Sequence, residues 1–190
     1  MTTVLKTPRL ELVGCSAETL RAEGEDRARF GGLLNARIPE GWPPELYDDD
    51  ARLWTLRKVE EEPEHAGWWM YYLVLDGDGE GREVIGLAGY KGPPAEDGTV
   101  EVGYGVLDEH RRRGYATEAT RALVERAFAF PAVTRVIAET YPHLEHSIGV
   151  LRNLGFALEG PGSEEGVIRF HLPRERWPEG RSTQTEKTSS

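Results

Sequence analysis

Between residues 99 and 140 the hydrophobic period changes twice, and this double change limits the fold more than any other feature of the chain. TVEVGYGV at 99–106 alternates with the period of a strand. After LDEHRRRG, the residues Ala116, Ala119, Leu123, Val124, Ala127 and Phe130 recur at helical spacing, in a helix beginning near Tyr115. VTRVIAET at 133–140 is again a β-branched run. Strand, helix and strand in close succession specify an α/β chain whose helices pack on a sheet.

The flanking sequence fits that reading. RLELV alternates as a strand, and Ser16 is positioned to cap a helix running through about Arg29. Gly31 to Tyr47 holds several Gly and Pro residues and is expected to be an irregular connection. Asp48, Asp49 and Asp50 supply caps and N-terminal negative charge for a helix through about Glu61, ended near Pro63. WWMYYLVL, REVIGLAGYK and TVEVGYGV, separated by the turn sequences DGDGEG and GPPAEDG, predict an antiparallel meander. HSIGVLRNLGF carries Ile148, Leu151 and Leu154 on one helical stripe with Gly155 as its C′ residue, and GVIRFHLP alternates as a last strand. The expected fold is α/β, in the sense of an α+β mixed sheet flanked by helices. Residues 1–177 are expected to form a single domain, and the polar segment 178–190 a disordered tail.

Composition narrows the function. A net charge of -10 argues against nucleic acid or an anionic membrane as a partner, and no long apolar run or signal-like leader is present, so a soluble, cytoplasmic protein is expected. Cys15 is the single cysteine, which rules out an internal disulfide, and no Cys/His cluster has metal-ligand spacing; His143 and His146 alone are weak grounds, and no metal is expected. Against the acidic background, Arg111, Arg112 and Arg113 stand out. Such a run is either a solvated turn or the seat of an anionic ligand.

Its context bears on that choice. A strand passes through HRRRG into a helix, where unpaired backbone amides and the helix dipole converge to make an anion site. Gly114 would let a phosphate approach without a Cβ in the way, and Ala116 keeps the first turn narrow. The plainer alternative is that Gly114 only permits a tight turn. Neither a P-loop nor a three-glycine dinucleotide motif is present.

The residues Arg111, Gly114 and Ala116 match [Gln/Arg]-x-x-Gly-x-[Gly/Ala] between a strand and a helix, and here the chain resembles the GNAT superfamily of N-acetyltransferases. TPRLEL at 7–12, VEVGYGVLDEHRRRGYATEAT at 100–120 and SIGVLRNLGF at 147–156 resemble its branch of Rim-type ribosomal-protein acetyltransferases. The similarity covers about residues 5–172 and is weakest between 30 and 70. The resemblance implies a mostly antiparallel sheet with one splayed parallel pair, Tyr104 to Leu107 beside Ile137 to Thr140, and acetyl-coenzyme A as co-substrate. It implies that Arg111, Arg112, Arg113, Gly114, Tyr115, Ala116 and Thr117 hold the pyrophosphate, and that Gly105 and Val106 contact the pantetheine arm through their backbone.

The acceptor would be a primary amine, on a protein N-terminus or a small molecule; the oligomeric state is open, a homodimer included. Glu101 is the candidate base, because it precedes Gly103 and Tyr104 on the strand that should carry the thioester; an ordinary surface carboxylate is the alternative. Ser147 is a candidate donor to the leaving sulfur, with an N-cap as its plain role; Tyr104 and Tyr141 are further candidates. Two departures stand out. Leu144 replaces the Asn of the family's Asn-x-x-Ser, and Leu151 occupies the place of its Tyr acid. A catalytically silent acyl-coenzyme-A-binding module is therefore the competing reading. The acceptor pocket is expected from the 30–70 region and its tryptophans, Trp42, Trp54, Trp68 and Trp69.

Overall fold

The chain opens with two antiparallel strands, β1 (Val4–Lys6) and β2 (Leu10–Gly14), of which only the second shows as alternation in the sequence. The structure is a computed structural model that describes residues 2–77 and 81–178. Ser16 caps the helix α1 (Ala17–Glu25) as expected, in a reciprocal box with Thr19. The helix does not continue through Arg29. Asp26 ends it and starts a second, α2 (Arg27–Leu34), by accepting a hydrogen bond from the Arg29 amide at 3.0 Å. This second helix runs through Gly31 and Gly32 into the stretch expected to be irregular. Burial of Phe30 and Leu34, each about 1.5–3 kcal/mol, outweighs about 1 kcal/mol for each helical glycine. Asp48 caps α3 (Asp49–Glu61), as the acidic run predicts.

The meander consists of β3 (Met70–Gly77), β4 (Gly81–Tyr90) and β5 (Thr99–Val106), each antiparallel to the next. Residues 78–80 of the DGDGEG turn, and all but Pro178 of the expected tail, lie outside the described residues. Next come α4 (Tyr115–Phe128), β6 (Arg135–Thr140), α5 (Glu145–Asn153), β7 (Ala157–Pro161) and β8 (Ile168–Pro173). α5 ends as predicted at Gly155, φ 89°, where the amides of Gly155 and Phe156 bond back to Arg152 and Leu151. Phe130, expected on the α4 stripe, lies beyond the helix end and packs on Trp68 at 4.9 Å. The sequence reading missed β1 and β7 because both are short outer strands with largely open residues and so carry no apolar alternation.

The eight strands lie in the order β1-β2-β3-β4-β5-β6-β8-β7, and β5 and β6 are parallel. Successive side chains of a strand point to opposite faces. Tyr71 and Leu73 pack beneath α4 and α5, whereas Tyr72 and Val74 pack beneath α1 and α2. The sheet is therefore covered on both sides, and whatever enters its middle must come in at an end.

Candidate active site

β5 and β6 supply that entrance. Their pairing covers three positions, Thr99 with Arg135, Val100 with Val136 and Glu101 with Ile137, and then stops. Each strand keeps its outer partner: β5 stays with β4 as far as Val106, and β6 with β8 as far as Thr140. The two therefore diverge, leaving Gly103–Val106 and Ala138–Thr140 unpaired with each other, as the resemblance implied.

At the end of β5 the chain crosses into α4 through the arginine loop. Gly114 is the N-cap at φ 82° with no side-chain cap, and Arg112 is also left-handed at φ 59°. The first helical hydrogen bond runs from Glu118 to Gly114, so the amides of Tyr115, Ala116 and Thr117 precede it without a helical acceptor. A brace from the chain's start fixes this loop. Glu118 accepts from Thr7 Oγ1 (2.6 Å), the Arg9 amide (2.8 Å) and Arg9 Nε (2.7 Å), and Arg9 Nη1 donates to the Arg113 carbonyl (2.9 Å). Burial alone would raise the Glu118 carboxyl, but these hydrogen bonds outweigh it and hold the group below the usual range. The Arg9 guanidinium also lies over the Tyr115 ring at 4.5 Å. The TPR of residues 7–9 thus has a physical task. Arg111 is held by Glu45 (3.0 Å), Asp108 (2.9 Å) and the Val106 carbonyl (3.3 Å).

A cavity of about 560 Å³ joins these parts, reaching from the arginine loop between the diverging strands to α5 and to the segment 162–167. Among the predicted residues, Gly105, Val106, Arg111, Arg112, Gly114, Tyr115, Ala116, Thr117 and Ser147 all line it.

Residues 20–157 match the family model described as an acetyltransferase (GNAT) domain. The chain belongs to the GNAT acetyltransferase family. Curated relatives include the uncharacterized N-acetyltransferases YjdG of Bacillus subtilis (strain 168), 34% identical over 43% of this chain and 49% of the relative, and p20 of Bacillus licheniformis, 35% identical over 43% and 46%. The chain spans about half the length of the curated relatives it matches. Solved structures with this fold include a GNAT-family acetyltransferase from Bacillus anthracis, with TM-score 0.59, 18% identity and coverage of 91% and 99% of the two chains. The ribosomal-protein-S5-alanine acetyltransferase of Vibrio fischeri has TM-score 0.58, 18% identity and coverage of 93% and 99%.

Two predicted residues of this GNAT chain lie off the cavity wall. Arg113 faces a neighbouring pocket with Arg37, Glu83, Glu109 and His110. There the His110 Nε2 lies 3.7 Å from Glu83 and 3.9 Å from Glu109, the one group among the described residues with ligand atoms close enough for a metal; Arg37 already pairs with Glu83 at 2.7 Å. Glu101 stands behind Lys91, whose Nζ is 2.7 Å from Oε1 without the alignment of a hydrogen bond; Lys91 lines the cavity and Glu101 does not.

Ser147 is not the N-cap that its plain role required. Leu144 holds that position without a side-chain cap, and Ser147 is the third helical residue. Its Oγ donates to the Tyr104 hydroxyl (3.2 Å), which donates in turn to the Ser147 carbonyl (2.9 Å). Burial pushes the Tyr104 pKa up to about 12, so at neutral pH the phenol keeps its proton. Leu151, in the place of the family tyrosine, is fully buried in the core. None of the four tryptophans lines the cavity: Trp68 and Trp69 are core, Trp54 packs edge-on against Trp69, and Trp42 donates to Glu23.

The sequence reading passed over Glu139, whose carboxylate accepts from the Ser163 amide (2.9 Å), Ser163 Oγ (2.6 Å) and Arg169 (2.8 Å) and so fixes the 162–166 wall. The alternation of Ile137 and Glu139 in the predicted strand was a usable signal, since a carboxylate on a sheet face covered from both sides requires partners.

Proposed function

We propose that this GNAT chain transfers the acetyl group of acetyl-coenzyme A to a primary amine. The observation that carries the reading is that the strand divergence and the uncapped α4 terminus open into one cavity. The residues suit the cofactor. Three amides without a helical acceptor stand at a helix N-terminus, an arrangement that suits an anion, and a Cβ placed on Gly114 would meet only the end of the Arg9 side chain, at 3.3 Å. In this reading Arg111, Arg112, Arg113, Gly114, Tyr115, Ala116 and Thr117 hold the pyrophosphate by backbone amides and charge, and Gly105 and Val106 bind the pantetheine arm.

Acetyl-coenzyme A supplies an activated thioester. The chain's own part is to hold a neutral amine against the carbonyl and to stabilise the departing thiolate. Glu101 takes the amine proton through a water molecule, because its carboxylate is set back from the wall. Ser147, whose carbonyl Tyr104 holds, turns its hydroxyl from the Tyr104 oxygen to the sulfur. Proximity can supply about 7–11 kcal/mol of the barrier, so Leu151 need not abolish turnover.

The acceptor is the amine of a protein N-terminus or of a small molecule. The Rim-type sequence pattern supports the first, and the fold is shared with ribosomal-protein acetyltransferases of that branch. The deciding experiment measures thiol release from acetyl-coenzyme A across a panel of small amines and peptides with free N-termini. Saturable release with one class establishes transfer. Cofactor binding without release from any of them would leave a silent acyl-coenzyme-A-binding module.

A further inference from the structure

The sheet face opposite α4 and α5 is walled by a segment whose two ends are tied to one carboxylate. Glu23 of α1 accepts hydrogen bonds from Trp42 Nε1 (3.0 Å), the Tyr47 hydroxyl (3.1 Å) and the Tyr72 hydroxyl (2.7 Å). Tyr72 belongs to β3, so both ends of the 42–47 segment are tied to the sheet through a single side chain. Arg111 holds its middle by the hydrogen bond to Glu45, and Pro44 lies over Gly105, where an added Cβ would come within 3.4 Å of the proline Cβ.

Between these tethers Leu46 adopts φ 68°. Left-handed backbone disfavours a residue with a γ-branched side chain, and such strain marks functional positions when the surroundings enforce it. The leucine gains no burial in return, since 71% of its surface is exposed, and that surface lines the cavity. Tyr141, 37% exposed, lines the same cavity from the far end of β6. Gly103 of β5 lines the cavity as well, and an added Cβ there would meet nothing within 4 Å. An open floor thus has an apolar group in each wall, and the one on the 42–47 side is held there against its own conformational preference.

We propose that Leu46 selects the acceptor, favouring amines with an apolar group beside the reacting nitrogen, and that Glu23 is the positioning residue that fixes the Leu46 wall. This rests on the acetyl-transfer reading above. An apolar acceptor group covers Leu46 and Tyr141 when bound, which a hydroxyl or amide group in the same place does not. Glu23 touches no reactant and acts by keeping the wall in register with the sheet.

The test compares acceptors matched in amine basicity, 2-phenylethylamine against ethanolamine and a peptide beginning with Leu against one beginning with Ser, by thiol release. The parent should prefer the apolar member of each pair. Leu46→Ser should lower the apolar-to-polar ratio of kcat/KM about tenfold, with the change in the KM of the acceptor and not in that of acetyl-coenzyme A. Glu23→Gln should raise the acceptor KM for both classes while the KM of acetyl-coenzyme A holds. Tyr47→Phe, which removes one tether only, should do the same more weakly and guards against a Glu23 variant that fails to fold. A ratio unmoved by Leu46→Ser, or a parent that prefers the polar members, would overturn the inference and leave acetyl transfer standing. Release with no acceptor of either class would overturn the transfer reading itself, and this inference with it.

Discussion

Replacing Glu118 by alanine should loosen the arginine loop and the fold together. The carboxylate accepts three hydrogen bonds that join residues 7–9 to α4, and its side chain is 13% exposed. Hydrogen bonds to charged groups contribute about 1.5–3 kcal/mol each. Arg9 is 45% exposed and can turn to water, so its guanidinium bond is discounted heavily, and the freed Thr7 hydroxyl and Arg9 amide are also partly solvated. A net loss of about 3 kcal/mol remains. For a chain of this size that lowers Tm by about 6–12 °C. Because the same brace holds the Arg113 carbonyl, the Kd for acetyl-coenzyme A should rise about tenfold. Thermal unfolding by circular dichroism and titration calorimetry read the two quantities. The depressed Glu118 pKa sets the pH dependence: its contribution is fully present above the ordinary carboxylate pKa and is lost as pH falls through the lower folded value. The stability gap between parent and variant should therefore shrink in acid. A Tm within about 2 °C of the parent, with unchanged Kd, would refute the brace.

Gly114→Val should weaken cofactor binding more than Arg112→Ala, because a β-branched residue opposes φ 82° and fills the phosphate approach; Kd values in the reverse order would show that charge dominates. Glu101→Gln should keep Tm and cofactor affinity while lowering turnover by about 10²–10⁴, with partial recovery at high pH as more amine is neutral; turnover within a few-fold of the parent would remove Glu101 as the base. Ser147→Ala should leave Tm within about 2 °C, because Leu144 and not Ser147 caps α5, while slowing turnover about tenfold at saturating substrate; a large loss of stability instead would mean that its 3.2 Å contact with Tyr104 is structural.

Elements whose residues face a core could be read from the sequence. Ala119, Leu123, Val124 and Ala127 repeat with the helix because each is fully buried, and β5 alternates because Val100 and Val102 face α4 while Glu101 and Gly103 do not. β1 and β7 were not legible, since outer strands bury too little to leave a pattern. Nor was the Asp26 break, where one residue serves as the end of one helix and the cap of the next. The turn into α4 was legible because its glycine and helix start are contiguous. The walls were not, since Glu23 with Tyr72, or Glu139 with Ser163, meet only after folding and lie 49 and 24 residues apart. Resemblance supplied the parallel pair, and only the register shows where its pairing stops.

Strand edges normally lie at the rim of a sheet, where unpaired amides and carbonyls invite another chain, and proteins blunt them with charge, proline or bulges. Divergence after Glu101 and Ile137 gives this sheet two more edges in its interior, in β5 and β6, directed at each other. Gly103 to Val106 form one edge and Ala138 to Thr140 the other; the charge there, Glu139, is taken up by Ser163 and Arg169, and α4, α5 and the 162–166 segment line the gap. The chain thus keeps a stretch of hydrogen-bonding backbone unpaired inside the sheet, where another strand cannot add to it as it could at the rim.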